Sequence, residues 1–339
     1  MMKKLVLTAA VAAGLAAMSV SAVAGEGSFK VGVVKFVDHA SLNQIEDSLE
    51  DRLDEIAEAD GVEFEILDYN GNADGSQLQQ IGAELVSEGV DVIVAIATPA
   101  AQILQAATED DNIPIIFSAV TDPVGANLVE SNEQPGGNLT GTSDALNTET
   151  MMNLIFAADP EAEKIGLLYS NSEDASKLPI EQAKAFLDEK GVAYVEKTGT
   201  TTDEVNAVVD ALIAEGVDAI FTPTDNTIMN AELAIFEKLQ EAGIPHYAGA
   251  DSFALNGAFL GFGVNYVDLG IETANMVADL LENEKAPADL PVVTFDSGIA
   301  TINTETAEAI GLDLETIEAA FEPFCSEIVE TATAEEFGD

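Results

Sequence analysis

The stretch Glu88–Ala101, EGVDVIVAIATPAA, and the stretch Glu215–Thr227, EGVDAIFTPTDNT, repeat nearly the same pattern at two places in the chain. In each, a helix ending in Gly is followed by Val-Asp, an apolar run and a turn rich in Thr, Pro or Asp. Continuous apolar strands that alternate with amphipathic helices are typical of a parallel sheet covered on both faces. The repeat therefore predicts two copies of one strand–helix unit.

The segments on either side of these stretches repeat in the same order. The matching pairs are KVGVVKF (30–36) with KIGLLYS (164–170), VEFEILDY (62–69) with VAYVEKT (192–198), and NIPIIFSAVTD (112–122) with GIPHYAGAD (243–251). We therefore expect an α/β protein of two similar doubly wound parallel-sheet lobes joined by a multi-strand hinge. The predicted lobes are residues 28–140 plus 265–293 and residues 141–264 plus 294–330, with crossings near Leu139–Ser143, Gly261–Asn265 and Thr294–Ser297 and an acidic tail at 331–339.

The chain is strongly acidic. Its 339 residues include 62 Asp and Glu against 12 Lys and Arg, which gives a formal charge of −50, and 47% of them are hydrophobic. That apolar content is sufficient for a packed core. The negative charge is spread along the chain, as in proteins from saline surroundings, and it disfavours binding to nucleic acid or to anionic membranes.

The first residues have the features of an export signal. Lys3 and Lys4 precede the apolar run LVLTAAVAAGLAAM, and an A-x-A cleavage pattern ends at Ala24. We expect a signal peptide over residues 1–24, and export to a periplasm or to the outer face of the cytoplasmic membrane. A permanent membrane anchor is the alternative, although the run is short and rich in Ala.

Signals of catalysis and of metal binding are weak. The sequence has one cysteine, Cys325, and two histidines, a set that disfavours a disulfide or a zinc site. It has no G-x-S-x-G elbow, no P-loop and no H-E-x-x-H motif. We therefore expect no catalytic residues, no metal and no cofactor, with an exported hydrolase or lyase on the same fold as the alternative from another functional class.

Loops at the carboxyl ends of the predicted strands are the candidate ligand site, because two facing lobes would bring these loops around one cleft. The turn Thr98–Ala101 begins a helix, so Thr98 either seats a carboxylate or only caps that helix. Asp122, Asp225 and Asp251 are candidate acceptors for an ammonium group, with Asp225 preferred, although each also suits a turn or a cap.

Aromatic residues near the same strand ends are candidates for the wall of the cleft. Phe36, Tyr169 and Phe253 could face an apolar ligand group or lie in the core. His39 stands out because it lies in a polar turn, VDHAS, where a neutral imidazole could stack on a ligand or hydrogen-bond to it.

At these residues the sequence resembles the ABC transporter substrate-binding proteins of the tryptophan/tyrosine-type group, which have the type I periplasmic-binding fold. The matching stretches are VGVVKFVDHASLNQ, VDVIVAIATPAAQ, IPIIFSAVTDPVGANLV, GNLTGTSD, IGLLYSNSEDAS, PTDNTI, ADSF with NGA, GVNYVDLG and INTETAEAIGLDL. The resemblance covers nearly the whole chain after the predicted signal peptide. It departs from the family at Ala40, where Pro is frequent, and at Glu173–Ser176, where Glu-x-Asn-Ser is frequent.

The resemblance implies a solute receptor that closes on its ligand and delivers it to an ABC permease in the membrane. It implies an amino-acid ligand, with an aromatic amino acid (Trp, Tyr or Phe) preferred, and we expect a monomer. A branched-chain amino acid, a small peptide or another carboxylate is the alternative ligand, and service to a chemoreceptor is the alternative role. The ligand-facing positions that the resemblance implies are Phe36, His39, Thr98, Ala100, Thr121, Asp122, Ser172, Glu173, Asp225, Asn226 and Asp251.

Overall fold

The structure is a computed structural model that describes residues 27–295 and 297–338. The predicted signal peptide, 1–24, lies outside these residues. Among the helices that the structure describes, none combines the length and the apolar character needed to span a bilayer.

Strands and helices alternate along most of the described chain. The strands are β1 (Ser28–Lys35), β2 (Glu63–Asn70), β3 (Val92–Ile96), β4 (Ile115–Ser118), β5 (Leu139–Ser143), β6 (Lys164–Tyr169), β7 (Ala193–Thr198), β8 (Ala219–Thr222), β9 (His246–Ala248), β10 (Leu260–Gly263), β11 (Val293–Thr294), β12 (Ile299–Asn303) and β13 (Glu327–Thr331). The α-helices are α1 (Ala40–Asp60), α2 (Gly75–Glu88), α3 (Thr98–Ala107), α4 (Thr148–Ala158), α5 (Lys177–Lys190), α6 (Thr202–Glu215), α7 (Asn226–Met229), α8 (Glu232–Ala242), α9 (Asp251–Leu255), α10 (Tyr266–Leu281), α11 (Thr304–Ala309) and α12 (Leu314–Phe321).

The strands form two sheets, which confirms the predicted pair of α/β lobes. The first sheet has the order β11-β5-β4-β3-β1-β2 and the second has the order β13-β12-β10-β9-β8-β6-β7. All neighbouring strands are parallel except β10 and β12. The order β4-β3-β1-β2 in the first sheet matches β9-β8-β6-β7 in the second, so the sequence repeat corresponds to a repeat of topology.

The Glu-Gly-Val-Asp motif has the same structural role in both lobes. Gly89 and Gly216 end α2 and α6 with a φ of 66° in each case, a left-handed conformation that glycine adopts without strain. Each following Asp then accepts a hydrogen bond from the backbone amide of a lysine at or near the start of an interior strand, Lys30 in β1 and Lys164 in β6. The distances are 2.7 Å from Lys30 to Asp91 and 2.8 Å from Lys164 to Asp218. The repeated motif therefore aligns strands rather than binding a ligand.

The chain passes between the lobes three times. The first crossing is residues 144–147, after β5, and the second is residues 264–265, after β10. The third, residues 295–298, joins β11 to β12, and residue 296 within it is not among the described residues. Helix α10 returns to the first lobe, where it packs on α1 and against β4 and β5. The predicted lobe ranges remain a prediction, and β5, a strand of the first sheet, spans the first of their boundaries.

Candidate functional site

A cavity lies between the two lobes, at the carboxyl ends of their strands. The space between its lining atoms totals about 370 Å³, a figure that includes space open to solvent. Loops after β1, β3 and β4 supply one wall, and loops after β8 and β9 supply the other. The cavity is therefore at the place where a parallel α/β sheet offers its free helix N-termini and loop side chains.

Part of the predicted ligand-facing set lies on this cavity. The predicted residues that line it are His39, Thr98, Thr121, Asp225 and Asn226. The aromatic residue Phe253 lines it as well, whereas Tyr169 hydrogen-bonds Glu196 through its hydroxyl at 3.0 Å on the exposed side of the second lobe.

Three predicted residues of the first lobe lie outside the cavity lining. Phe36 is buried in the hydrophobic core, and Ala100 is fully buried within α3. Asp122 stabilises a turn, because its Oδ1 accepts the backbone amide of Gly125 at 2.9 Å. Asp122 therefore has the turn role that the sequence analysis gave as its alternative to binding an ammonium group.

Three predicted residues of the second lobe support the cavity from outside its lining. The Ser172 hydroxyl lies 2.7 Å from that of Ser170, and the Asp251 Oδ1 accepts a hydrogen bond from Ser41 at 2.8 Å. Glu173 is buried and accepts hydrogen bonds from residues at the start of α7. After Glu173 the chain forms a short 3-10 helix, Asp174–Ser176, in which Ala175 faces the cavity.

The start of α3 has the properties of an anion seat. Ala97 precedes the helix and makes no side-chain capping bond, and the Thr98 hydroxyl is buried with no hydrogen-bond partner. Thr98 is therefore not the cap that the sequence offered as an alternative. The first amides of an α-helix lack intrahelical acceptors and carry the positive end of the helix dipole. A carboxylate placed here would pair with these amides and with the Thr98 hydroxyl.

Two alanines in this cavity wall adopt a strained backbone conformation. Ala97 has a φ of 82° and Ala119 has a φ of 54°, and each residue directly follows a strand of the first sheet. Positive φ at a non-glycine residue costs of order 1–3 kcal/mol and is concentrated at functional sites. The strain shows that the fold holds the ends of β3 and β4 in defined positions on the cavity.

Whereas the start of α3 favours an anion, buried carboxylates elsewhere in the cavity wall favour a cation. Asp144 accepts hydrogen bonds from the Thr121 hydroxyl at 3.0 Å and from the Tyr266 hydroxyl at 3.3 Å, and burial raises the pKa of this carboxyl. Among the residues that line the cavity in the described chain there is no Lys or Arg. A buried carboxylate without a cation is costly, so this region favours a ligand with a positive group.

Asp225 is buried but more fully hydrogen-bonded. Its Oδ2 accepts from the Ser170 amide and the Ser176 hydroxyl, each at 2.6 Å, and its Oδ1 accepts from the Ile228 amide at 3.0 Å. Burial and then the nearby charge of Glu173 raise the pKa of Asp225 well above its usual value. Asp225 therefore caps α7 and also faces the cavity.

Apolar side chains complete the cavity wall. Leu42 and Tyr266 come from the first lobe, and Met229 and Phe253 come from the second. A wall of this kind buries the hydrocarbon part of a ligand, while the polar groups described above orient its charged end.

Hydrogen bonds join the lobes across the cleft. In addition to the Ser41–Asp251 bond, the Thr121 and Thr224 hydroxyls lie 2.8 Å apart, and the Gln102 Nε2 donates to Asp174 at 3.0 Å. The His39 Nε2 lies 3.1 Å from the Asn226 Oδ1. These contacts require the two rims to touch, so the described conformation is a closed one.

Sequence reasoning missed Asp144 and Tyr266. Both lie just after a strand at a crossing between the lobes, within the stretches GNLTGTSD and GVNYVDLG. The available signal was their position beside a predicted hinge, because a hinge residue lines the base of any cleft between lobes.

Buried acidic groups predict an unusual pH dependence of stability. Burial raises the pKa of Asp251 to about 6 and that of Glu46 to about 7. The folded state then binds more protons than the unfolded state between about pH 4 and pH 7, so these groups lower stability as pH rises. His39 opposes this trend below about pH 6.5, because burial lowers its pKa to about 4.

Among the groups that titrate between about pH 5 and pH 7.5, the carboxyls with a raised pKa, which include Asp144 and Asp225, outnumber His39. The lowered pKa values of Asp174, Glu204 and Asp313 act mainly below about pH 5, because an ordinary carboxyl pKa is already about 4. We expect the free energy of unfolding of the ligand-free protein to be higher at about pH 5 than at about pH 7.5, measured by urea titration at constant ionic strength. The variant Asp251→Asn should flatten part of this dependence. A free energy of unfolding that instead increases from pH 5 to pH 7.5 would contradict the prediction.

Comparisons with known proteins agree with this geometry. The family model described as ABC transporter substrate binding protein matches residues 30–319. The tyrosine-binding protein of Clostridioides difficile (strain R20291) is 35% identical over 289 residues, which cover 85% of this chain and 82% of that protein. A crystal structure of an ABC domain from Streptococcus pneumoniae in complex with L-Trp has a TM-score of 0.81 at 34% identity, over 89% of this chain and all of that one.

A second solved structure bears on the conformation. The ligand-free, open structure of a substrate-binding protein with adhesive properties from Clostridium difficile has a TM-score of 0.67 at 31% identity, over 90% of this chain and all of that one. The two solved structures have similar sequence identity to this chain, so the lower TM-score of the open structure agrees with a difference in lobe closure.

The cleft geometry, the topology and the matched residues lead to one assignment: the chain belongs to the family of ABC transporter substrate-binding proteins.

Proposed function

We propose that this substrate-binding protein captures an aromatic L-amino acid, Tyr, Trp or Phe, in the cavity between its lobes. The observation that carries the proposal is the pairing of an unpartnered anion seat at Thr98 with the buried carboxylate of Asp144, which has no cation beside it. The relatives named for tyrosine binding and solved with L-Trp support the same ligand class.

The α-carboxylate of the ligand occupies the start of α3. There it accepts from the Thr98 hydroxyl and from the free amides of the first helical turn, with the helix dipole adding to the attraction. The α-ammonium lies against Asp144, where it supplies the positive charge that the Thr121 and Tyr266 hydroxyls do not. Asp225 faces the same cavity as a further acidic neighbour.

The side chain of the ligand packs against the apolar wall formed by Leu42, Met229, Phe253 and Tyr266. Burial of an aromatic ring contributes a large hydrophobic term, and contacts between rings add about 0.5–1.5 kcal/mol. This wall favours an aromatic ligand over a sugar, whose many hydroxyls would need polar partners.

Delivery requires a membrane partner. Members of this family are extracytoplasmic, and we propose that the closed form, held by bonds such as Ser41–Asp251, docks on an ABC permease. The proposed role is non-catalytic and carried out by a monomer, in a periplasm or at the outer face of the cytoplasmic membrane. Three other proposed ligand-facing residues act indirectly: Asp251 bonds Ser41 across the cleft, Glu173 positions the start of α7, and Asp122 stabilises a turn.

Calorimetric titration of ligand-stripped protein tests this function. L-Tyr, L-Trp or L-Phe should bind, and at 100 times its Kd a ligand should stabilise the fold by about 2.7 kcal/mol. Two matched analogues of L-Tyr serve as controls: tyramine, which lacks the carboxylate, and 3-(4-hydroxyphenyl)propionate, which lacks the ammonium. Each should bind at least about 30-fold more weakly, because tyramine leaves the anion seat at Thr98 unpaired and the propionate leaves Asp144 unpaired. No binding of any of the three amino acids, together with clear binding of a sugar, would refute the proposal.

A further inference from the structure

Glu173, which lies behind the cavity wall, and two cavity-lining residues, Asn226 and His39, form a hydrogen-bonded relay that determines which nitrogen of the His39 ring carries the proton. The Asn226 Nδ2 lies 2.7 Å from the Glu173 Oε2, and the Asn226 Oδ1 lies 3.1 Å from the His39 Nε2. Glu173 and Asn226 belong to the second lobe and His39 to the first, so the relay is complete only when the lobes are closed.

Glu173 determines which way the Asn226 amide points. Its carboxylate is buried and accepts from four donors: the backbone amides of Asn226 and Thr227, the Thr227 hydroxyl and the Asn226 Nδ2. Both carboxyl oxygens of Glu173 act as acceptors in these bonds, so the NH₂ group of Asn226 must face Glu173. The carbonyl oxygen of the amide therefore faces His39.

That orientation selects one tautomer of His39. The Asn226 Oδ1 can only accept, so the proton of the ring must lie on Nε2. Burial lowers the pKa of His39 to about 4, which keeps the imidazole neutral near pH 7. The Nδ1 is then a bare acceptor, and it is buried and has no hydrogen-bond partner on a residue that lines the cavity.

The ligand has one kind of group that can satisfy this atom. A carboxylate carries no proton to donate, and in the proposed binding mode the ammonium is already paired with the Asp144 carboxyl group. What remains is a donor on the side chain: the phenol O–H of Tyr or the indole N–H of Trp. Phe has no such donor and would leave the Nδ1 unpaired in a closed cavity.

We infer that His39 Nδ1 is the specificity-determining acceptor for a ring O–H or N–H of the ligand, with Glu173 and Asn226 as its positioning residues. This inference rests on the proposed function. It predicts that the protein discriminates among aromatic amino acids, binding Tyr or Trp more tightly than analogues that lack the ring donor. A site that hydrogen-bonds a ligand group rejects the ligand without it, because its own buried polar atom is left unpaired.

The test compares two matched ligand pairs on the wild type and on His39→Leu. L-Tyr is paired with L-Phe, and L-Trp is paired with L-3-benzothienylalanine, in which sulfur replaces the indole N–H. The comparison uses whichever of the two pairs binds the wild type more tightly. In that pair the ligand with the ring donor, L-Tyr or L-Trp, should bind about 10- to 100-fold more tightly than the ligand without it. In His39→Leu this ratio should fall below about 3-fold, mainly through weaker binding of the donor-bearing ligand.

The positioning role has a spectroscopic test of its own. The chain has two histidines, so a His246→Asn variant assigns the ring ¹⁵N signals of His39. These signals should show a proton on Nε2 in the closed protein. Asn226→Ala removes the partner of His39 while Asp225 still caps α7, and it should mix the two tautomers and reduce the ligand ratio.

The outcomes separate this inference from the function it rests on. If the amino acids bind but wild-type ratios are near one, or if the ratio survives in His39→Leu, the inference is overturned and the proposed function stands. A proton found on Nδ1 in the closed wild type overturns it as well. If none of the four ligands binds, the proposed function fails and this inference fails with it.

Discussion

Replacing Asp144 by Asn should weaken amino-acid binding by about 100-fold or more, because truncating one partner of a buried charge pair costs about 2–5 kcal/mol. Asp144 is 5% exposed, and its carboxylate accepts hydrogen bonds from the hydroxyls of Thr121 and Tyr266. In the bound state the ammonium of the ligand would be its one cationic partner. Asn keeps the shape and a carbonyl acceptor, so the change isolates the charge.

The measurement is Kd by calorimetry for the best-binding amino acid. Asp122→Asn is the matched control, because that carboxylate stabilises a turn outside the cavity lining, and its Kd should change less than about 3-fold. The ligand-free Asp144→Asn protein should be as stable as the wild type or more so, because a buried unpaired carboxylate has been removed. An unchanged Kd would place the ammonium elsewhere, with Asp225 the next candidate.

Replacing Gly270 by Ala should lower the free energy of unfolding by about 3 kcal/mol. Helix propensity alone predicts the opposite sign, since Ala is better than Gly by about 1 kcal/mol inside a helix. In the structure, however, a Cβ at Gly270 would collide with the Ser48 hydroxyl and the Ile45 carbonyl oxygen of α1. The backbone oxygen cannot move aside without shifting α1, so the two helices would have to separate.

Urea unfolding at constant ionic strength measures this loss. Gly75→Ala is the matched control, because Gly75 opens α2 and its added Cβ would meet the Ile103 Cδ1 at 3.4 Å, an ordinary contact. That variant should be neutral or slightly stabilising. Helix α10 also begins with Tyr266, so Gly270→Ala should weaken ligand binding as well. Equal stabilities for the two variants would show that α1 and α10 can separate without cost.

The fold was predictable because its signals are local and repeated. Continuous apolar strands, amphipathic helices and terminal glycines such as Gly89 and Gly216 recur in the same order in both halves. The same topology, β4-β3-β1-β2 and β9-β8-β6-β7, then confirmed the two lobes. The spacing of apolar residues along the chain shows which faces of the helices and strands are buried. This spacing is sufficient to predict a parallel α/β sheet.

The site was predictable only in part, because a strand-end position does not say where a side chain points. Thr98 and Asp225 both lie on the cavity, but the Thr98 hydroxyl is unpartnered while Asp225 accepts three hydrogen bonds within its own lobe. Asp251, Glu173 and Asp122 occupy similar sequence positions and have structural partners instead.

By itself, the sequence determined that the chain has two repeated α/β halves with a cleft between their strand-end loops. The tertiary structure alone decided which side chains meet in that cleft: Asp144 with Tyr266, and His39 with Asn226. The physical reason is range. Strands and helices are encoded by neighbours a few residues apart, whereas the charge, tautomer and hydrogen-bond capacity of a buried group depend on partners that are more than 120 positions away in these two pairs.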